Sequence, residues 1–395
     1  MGNPKVKELI RKYQDKITEH RCHIHAHPEL PHTEKETAAY IAKTLREMGL
    51  VPTENVGGYG VTALIEGNGE GKCVGLRADF DSLPITEKTG LSFASENPGV
   101  MHACGHDVHT AMLLGAAYVL NEMRDGFAGR VKLVFQPAEE DAAACGAKAM
   151  IEDGVLESPK VDAMFGQHVW PAIDTGKIGI RNGAMMAASD RFFITVKGKN
   201  SHASRPEDGI DAIVAASHVI TALQTIVARN VGPLDSAVVT IGTIRGGNVY
   251  NAIAEEVKLE GTCRNLNPEI RNKMPERIEN IVRGVTAALG ADYEFKYLRC
   301  YSPLVNDPEM FALMDRTIAD VIGEENLLHP ASAALGGEDF SFYCEKVPSS
   351  FFWLGCHKAG TQYHPIHHGE FVPDEAAIPV GIETMVNCAL NFLAG

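Results

Sequence analysis

Four short, nearly unbroken apolar runs stand out along the chain, at residues 73–78, 131–135, 162–166 and 350–354. Runs of this length suit strands buried on both faces, as in a parallel sheet covered by helices. Helical periodicity frames them. Two helices are expected across 5–49, separated at Pro28 and Pro31, with others over 109–123, 142–153 and 375–393. Polar, metal-capable residues follow several of these strands, and ligands in open α/β sheets gather at strand carboxyl ends.

The middle of the chain is patterned differently. Residues 191–197 alternate like a half-buried strand, and 208–229 read as a long amphipathic helix. Strands over 237–244 and 257–264, a helix over 269–289 and a strand over 293–301 complete the order β-α-β-β-α-β, that of a ferredoxin-like module. The first pattern resumes after Ser302. The expected architecture is therefore α/β: a mostly parallel central sheet flanked by helices, with an α+β module inserted. The catalytic domain would occupy 1–187 and 302–395, and the insertion 188–301.

Composition narrows the class. With 45% hydrophobic and 22% charged residues in 395, the chain reads as a soluble globular protein. No apolar run approaches a bilayer span, and the polar start (residues 1–16) carries no secretory signal. Nine scattered cysteines fit a reducing cytoplasm rather than a disulfide framework. A net charge of −15 argues against nucleic acid or an anionic membrane as partner, since both call for clustered positive charge.

The candidate chemistry begins at Met101-His102-Ala103-Cys104-Gly105-His106-Asp107. Cys104 and His106 would project from a loop at a helix N-terminus, where the helix dipole favours a thiolate. A thiolate and an imidazole two residues apart suit a divalent transition metal. Glu139 and Glu140 follow the strand at 131–135. One carboxylate can bind a cation while its neighbour takes a proton from water, the division of labour that metal-assisted hydrolysis needs. His168 follows another buried strand. At least one of His364, His367 and His368 could complete the shell. The His23, His25 and His27 tract is read as structural, because a helix spreads those positions around its axis.

At these residues the chain resembles the M20 metallopeptidase and amidohydrolase family. The similarity is to the aminoacylase/hippurate hydrolase-like branch that includes auxin-conjugate hydrolases. The matching blocks are His27-Pro28-Glu29-Leu30, the stretch from Leu76 to Pro84, that from Met101 to His109, and Gln136-Pro137-Ala138-Glu139-Glu140. Gln167-His168-Val169-Trp170-Pro171, Ser201-His202-Ala203-Ser204 with Gly209-Ile210-Asp211-Ala212, Gly261-Thr262-Cys263-Arg264, Gly337-Glu338-Asp339-Phe340 and the stretch from His367 to Glu375 complete the set. The resemblance implies five ligands, Cys104, His106, Glu140, His168 and His367, holding two divalent ions with Cys104 as the bridge. His367 is chosen because it stands four residues before Phe371. Glu139 matches the general base, His202 a residue that polarises the scissile carbonyl, and Asn251 and Arg264 positions that hold a substrate carboxylate. The inserted module matches a lid, or dimerisation, domain.

The implied function is hydrolysis of N-acyl amino acids to an acid and a free amino acid. The ions would be manganese or zinc, with cobalt or nickel as further options, and the protein a cytoplasmic homo-oligomer, dimeric or higher. A metallo-dipeptidase or carboxypeptidase is the nearer alternative. A thiol hydrolase using Cys104, or a metal-binding scaffold, is more remote. The chain has Asn251-Ala252-Ile253-Ala254 where the family commonly has Asn-Val-Ile-Pro, Gly337 where it often has Ser, and Gly369 where it often has Pro. These departures bear on substrate preference.

Overall fold

The computed structural model describes residues 3–395. Helix α1 (Pro4–Ala26) starts where the Asn3 side chain accepts a hydrogen bond from the Lys5 N–H at 3.0 Å, with Pro4 in the first helical position. Its stripe of Val6, Leu9, Ile10, Ile17 and Ile24 is buried. After α2 (Lys35–Glu47) come β1 (Pro52–Val56) and β2 (Gly60–Glu66), an antiparallel pair that the apolar runs do not reveal because β1 is largely exposed. Then follow β3 (Cys73–Asp79), α3 (His106–Glu122), β4 (Arg130–Gln136), α4 (Gly146–Glu152), β5 (Ala163–Asp174), β6 (Ile178–Gly179) and β7 (Gly183–Met186).

The next elements are β8 (Ala188–Lys197), α5 (Ala212–Asn230), β9 (Ala237–Gly246), β10 (Glu256–Asn265), α6 (Pro268–Ala288) and β11 (Asp292–Tyr301). The chain ends with β12 (Leu304–Asn306), α7 (Pro308–Ile322), β13 (Leu327–Leu328), α8 (Ser341–Cys344), β14 (Ser349–His357) and α9 (Ala377–Leu393). Two compact units result. One comprises the chain up to Met185 with Val305–Ser332 and Asp339–Gly395; the other comprises Met186–Leu304 with Ala333–Glu338.

The first unit holds an eight-stranded sheet in the order β1-β2-β4-β3-β5-β14-β6-β13. Strands β4, β3, β5 and β14 run parallel, which gives the sheet a mostly parallel centre. Every residue of β3 is buried. Helices α1, α3 and α9 pack on one another, and α3 and α9 also pack on β3. Helix α3 is buried along almost its whole length, and past its polar first turn it is apolar on all sides from Ala111 to Leu120.

Two expectations are corrected locally. The helix expected over 142–153 begins only at Gly146, because the Asp141 carboxylate accepts from the N–H groups of Ala143 and Ala144 and turns the chain. His168 lies within β5 rather than after it, because β14 stays paired with β5 through this region.

The second unit is a four-stranded antiparallel sheet, β11-β8-β10-β9, with α5 and α6 packed on it. This is the strand order of a ferredoxin-like module. Helix α5 is 19 residues long and contains an 18-residue window of mean hydropathy 1.4. It lies on this unit's core through Ala212, Ala215, Ala216, Val219, Leu223 and Ile226.

A buried ion network joins α1 to the start of α3. Arg21 Nε donates to Asp107 Oδ2 at 3.1 Å, its Nη1 donates to Glu375 at 2.7 Å, and His25 Nδ1 lies 2.8 Å from Asp107 Oδ2. Arg21 and Asp107 are inaccessible to solvent. Breaking such a pair strands a buried charge, so Arg21→Ala should destabilise the fold by about 3–5 kcal/mol. Equilibrium urea unfolding checks this; an unchanged midpoint would contradict it.

Candidate metal centre

The site forms where the parallel strands end. Gly105, at φ +88°, turns the chain between Cys104 and His106. A Cβ there would meet Val169 Cγ2 at 2.4 Å, so only glycine fits. His106 is the first residue of α3 rather than part of the preceding loop. Glu139 and Glu140 follow β4 through Ala138, whose φ of +51° reverses the chain. Glu34 Oε1 accepts from the Ala138 N–H at 2.8 Å and holds that turn. His367, also left-handed at φ +63°, is fixed by its N–H donating to Ala103 O at 2.7 Å.

These turns bring Cys104, His106, Glu139, Glu140, His168 and His367 together. Cys104 Sγ lies 3.3 Å from His168 Nε2 and 3.3 Å from His367 Nε2. His367 Nε2 is 3.2 Å from Glu140 Oε1. The donor atoms form overlapping triads: Cys104/His106/His168 and Cys104/Glu140/His367, each within 4.8 Å. Cys104 is common to both. A third triad joins His106 to Glu139 and Glu140.

Hydrogen bonds set the ring orientations. His106 Nδ1 lies 3.0 Å from both the backbone oxygen and Oδ1 of Asp81, so it donates there and the buried Nε2 is left without a hydrogen-bond partner. His168 Nδ1 donates to Val169 O at 2.6 Å, leaving Nε2 facing Cys104. Metal-binding imidazoles are commonly oriented in this way. His109 is different: its Nδ1 donates to Asp79 at 2.6 Å and its Nε2 accepts from the Val169 N–H at 2.9 Å. Both nitrogens are used, so it braces the site.

The electrostatics call for positive charge. Asp79, Asp81 and Glu139 are buried, and Glu140 nearly so. Arg77 is committed to Asp79 and Asp339. Burial would lower the pKa of His106, but Asp79, Asp81 and Glu140 outweigh it and raise it to about 10. Burial, with the charges of Glu140, Glu139 and Asp79, pushes the Cys104 thiol well above its usual value. The helix dipole therefore does not by itself deliver the thiolate expected from sequence. A cation would supply the missing charge and take the place of both protons. Thiolate, imidazole and carboxylate donors in two triads that share one sulfur fit a pair of divalent transition cations.

Glu139 points into the same cluster, and the Asp339 N–H donates to its Oε1 at 3.4 Å. Asp339 in turn accepts from Arg77 and from Gln136 Nε2. Sequence reasoning assigns no role to Arg77, Asp79, Asp81 or Asp339, although the blocks at 76–84 and 337–340 contain them, and considers His109 only as the base of the thiol-hydrolase alternative.

The remaining candidates are held by other contacts. His364 and His368 pair with each other instead. His25 is buried against Asp107 and Glu87, a structural part. In the second unit, His202 bridges to Ala252, and Asn251 O accepts from the Ala203 N–H. His202 Nδ1 accepts from the Ser204 N–H at 3.1 Å. Arg264, on β10, bonds Thr262 Oγ1 and the carbonyl of Cys263.

The sequence profile of peptidase family M20/M25/M40 matches residues 75–391. The chain belongs to this family. This M20 protein is 44% identical to an N-acetyl-L-cysteine deacetylase of Bacillus subtilis, covering 91% of its own length and 83% of the relative's. It is 38% identical to thermostable carboxypeptidase 1 of Saccharolobus solfataricus, with 98% of each chain covered. Its fold superposes with a TM-score of 0.83 on a dinuclear metal-binding M20 peptidase of Bacillus subtilis, at 36% identity over 97% of this chain and 99% of the other. The M20 protein is accordingly a hydrolase of amide bonds.

Proposed function

We propose that this M20 protein is a dinuclear metal-dependent amidohydrolase that cleaves N-acyl amino acids to a carboxylic acid and a free amino acid. The observation that carries the reading is the thiol of Cys104 shared by two donor triads, with Glu139 beside them. Cys104, His106, Glu140, His168 and His367 would hold the ions, manganese or zinc first among them. When bound, such a pair supplies Lewis acidity and lowers the pKa of water.

The chain's own groups supply the rest. Glu139 takes the proton of the attacking water and returns it to the departing amine nitrogen. Asp339, through its N–H, fixes the direction of that carboxylate. His202 is assigned the carbonyl oxygen, and Asn251 and Arg264 the substrate carboxylate, on their match to family positions. The nucleophilic-cysteine alternative has little support, because a buried thiol with a raised pKa holds little thiolate.

A homo-oligomer, a dimer first, is part of the same proposal. Strand β9 is an edge of the second unit's sheet and carries exposed Ile244. Leu234 is wholly exposed, with Val249, Tyr250 and, on α5, Ile213 and Val214 also open. An apolar edge of this kind is a template for strand pairing.

Comparing kcat/KM for N-acetyl amino acids, N-benzoyl amino acids and dipeptides tests the substrate class. The N-acyl compounds should lead by at least about tenfold, a transition-state difference of ~1.4 kcal/mol. The carboxypeptidase relative makes peptide cleavage the second reading, and a lead for dipeptides would replace the first with it. In the same assays His202→Ala should lower kcat with metal content unchanged, and Arg264→Ala should raise KM for carboxylate-bearing substrates. Unchanged values in either variant would remove that role.

A further inference from the structure

The loop that carries His367 holds a second donor set, which the hydrolytic scheme does not use. His364 and His368 stack with ring centroids 5.0 Å apart and planes 24° from parallel. Glu370 Oε2 lies 4.0 Å from Nδ1 of each ring. One donor atom from each of the three residues falls within 4.8 Å of the others. Two imidazoles and a carboxylate are a common three-ligand set for zinc, leaving one position open to water.

The geometry is close to what an ion needs. Metal–donor bonds of about 2.0–2.2 Å in a tetrahedral shell set donors roughly 3.4 Å apart. The 4.0 Å separations therefore require closure of under ~1 Å. The side chains can move that far, since His368 and Glu370 are about half exposed. The backbone between them is held in place. The Lys88 N–H donates to Gly369 O at 2.7 Å, and a Cβ on Gly369 would meet Thr86 O at 2.6 Å. The Glu370 N–H donates to His368 Nδ1 at 3.2 Å, a long bond that an ion can replace. His364 and Glu370 also line a cavity of about 430 Å³, which gives an ion and its water a way in.

We propose that His364, His368 and Glu370 form a separate cation site for a single divalent ion of the zinc class. His367 lies between the two histidines in sequence but turns its Nε2 to Cys104. An ion here would brace the loop on both sides of His367.

Zinc titration of the metal-loaded full chain, followed by calorimetry and native mass spectrometry, tests the site. Wild type should saturate at one ion more than the Cys104 cluster holds. His364→Ala and Glu370→Gln should each weaken that extra ion by about tenfold or more while keeping the rest. Cys104→Ala should still take it up, so that failure of the hydrolytic reading and failure of this one are distinguishable. A wild-type chain with no extra ion overturns the proposal, as does an extra ion that both variants bind unchanged.

Discussion

Glu139→Gln should reduce kcat by about 10²–10⁴-fold, the usual contribution of a positioned general base, while metal content stays at the wild-type value. The amide keeps the shape of the carboxylate and can still accept the Asp339 N–H that now reaches Glu139 Oε1 at 3.4 Å. What it loses is the ability to take a proton. KM should move little, because an interaction that matters only in the transition state lowers kcat and kcat/KM together. Steady-state kinetics paired with elemental analysis separates the outcomes. If the variant keeps its metals and turns over within a few-fold of wild type, Glu139 is not the base.

Removing the thiol should be more damaging still. Cys104 Sγ is the donor common to both triads, so Cys104→Ala should lower affinity for both ions, whereas His168→Ala should lower it for one. The loss should exceed about 100-fold, since partners that only orient a ligand already cost about 10–100-fold. Activity at limiting metal should collapse with it. Buried Asp79, Asp81 and Glu139 would then face one another with less compensation, so thermal stability in the presence of metal should fall as well. Titration with a chelating indicator reads the two affinities. A Cys104→Ala chain that binds two ions as tightly as wild type would refute the shared-thiol arrangement.

Much of the scaffold is legible in the hydrophobic pattern. The apolar runs at 73–78, 131–135 and 350–354 become β3, β4 and β14, because strands buried on both faces must be apolar throughout. The middle module is equally plain, since each strand shows one face to solvent and alternates. The apolar runs do not reveal β1 and β2 at the sheet's antiparallel edge, nor α7. Helix α7 is marked instead by its ends: Pro308 in the first turn, an Asp307 side chain that accepts from the Glu309 and Met310 N–H groups, and Gly323 at its close.

The site was readable to a different depth. Cys104-Gly105-His106 and Glu139-Glu140 are close in sequence and follow strands, so local pattern finds them. His367 is picked out among three nearby histidines by its spacing to Phe371 in the family resemblance, while the left-handed turn tied to Ala103 that aims it is a tertiary feature. The bracing residues escape for a related reason. His109 looks as competent a ligand as His106 until the structure shows both its nitrogens occupied, by Asp79 and by Val169 N–H. The state of the Cys104 thiol also depends on tertiary structure, because burial, and then carboxylates from the loop after β4 and from β3, raise its pKa despite the start of α3 beside it.

The most direct test of the central claim is a crystal structure of the metal-loaded protein with anomalous data collected on both sides of the zinc or manganese edge. Two peaks are expected, about 3.5–4 Å apart as in two-metal hydrolases, with Cys104 Sγ bonded to both and Glu139 facing the space between them. A single peak, or a pair in which Cys104 touches neither ion, would contradict it.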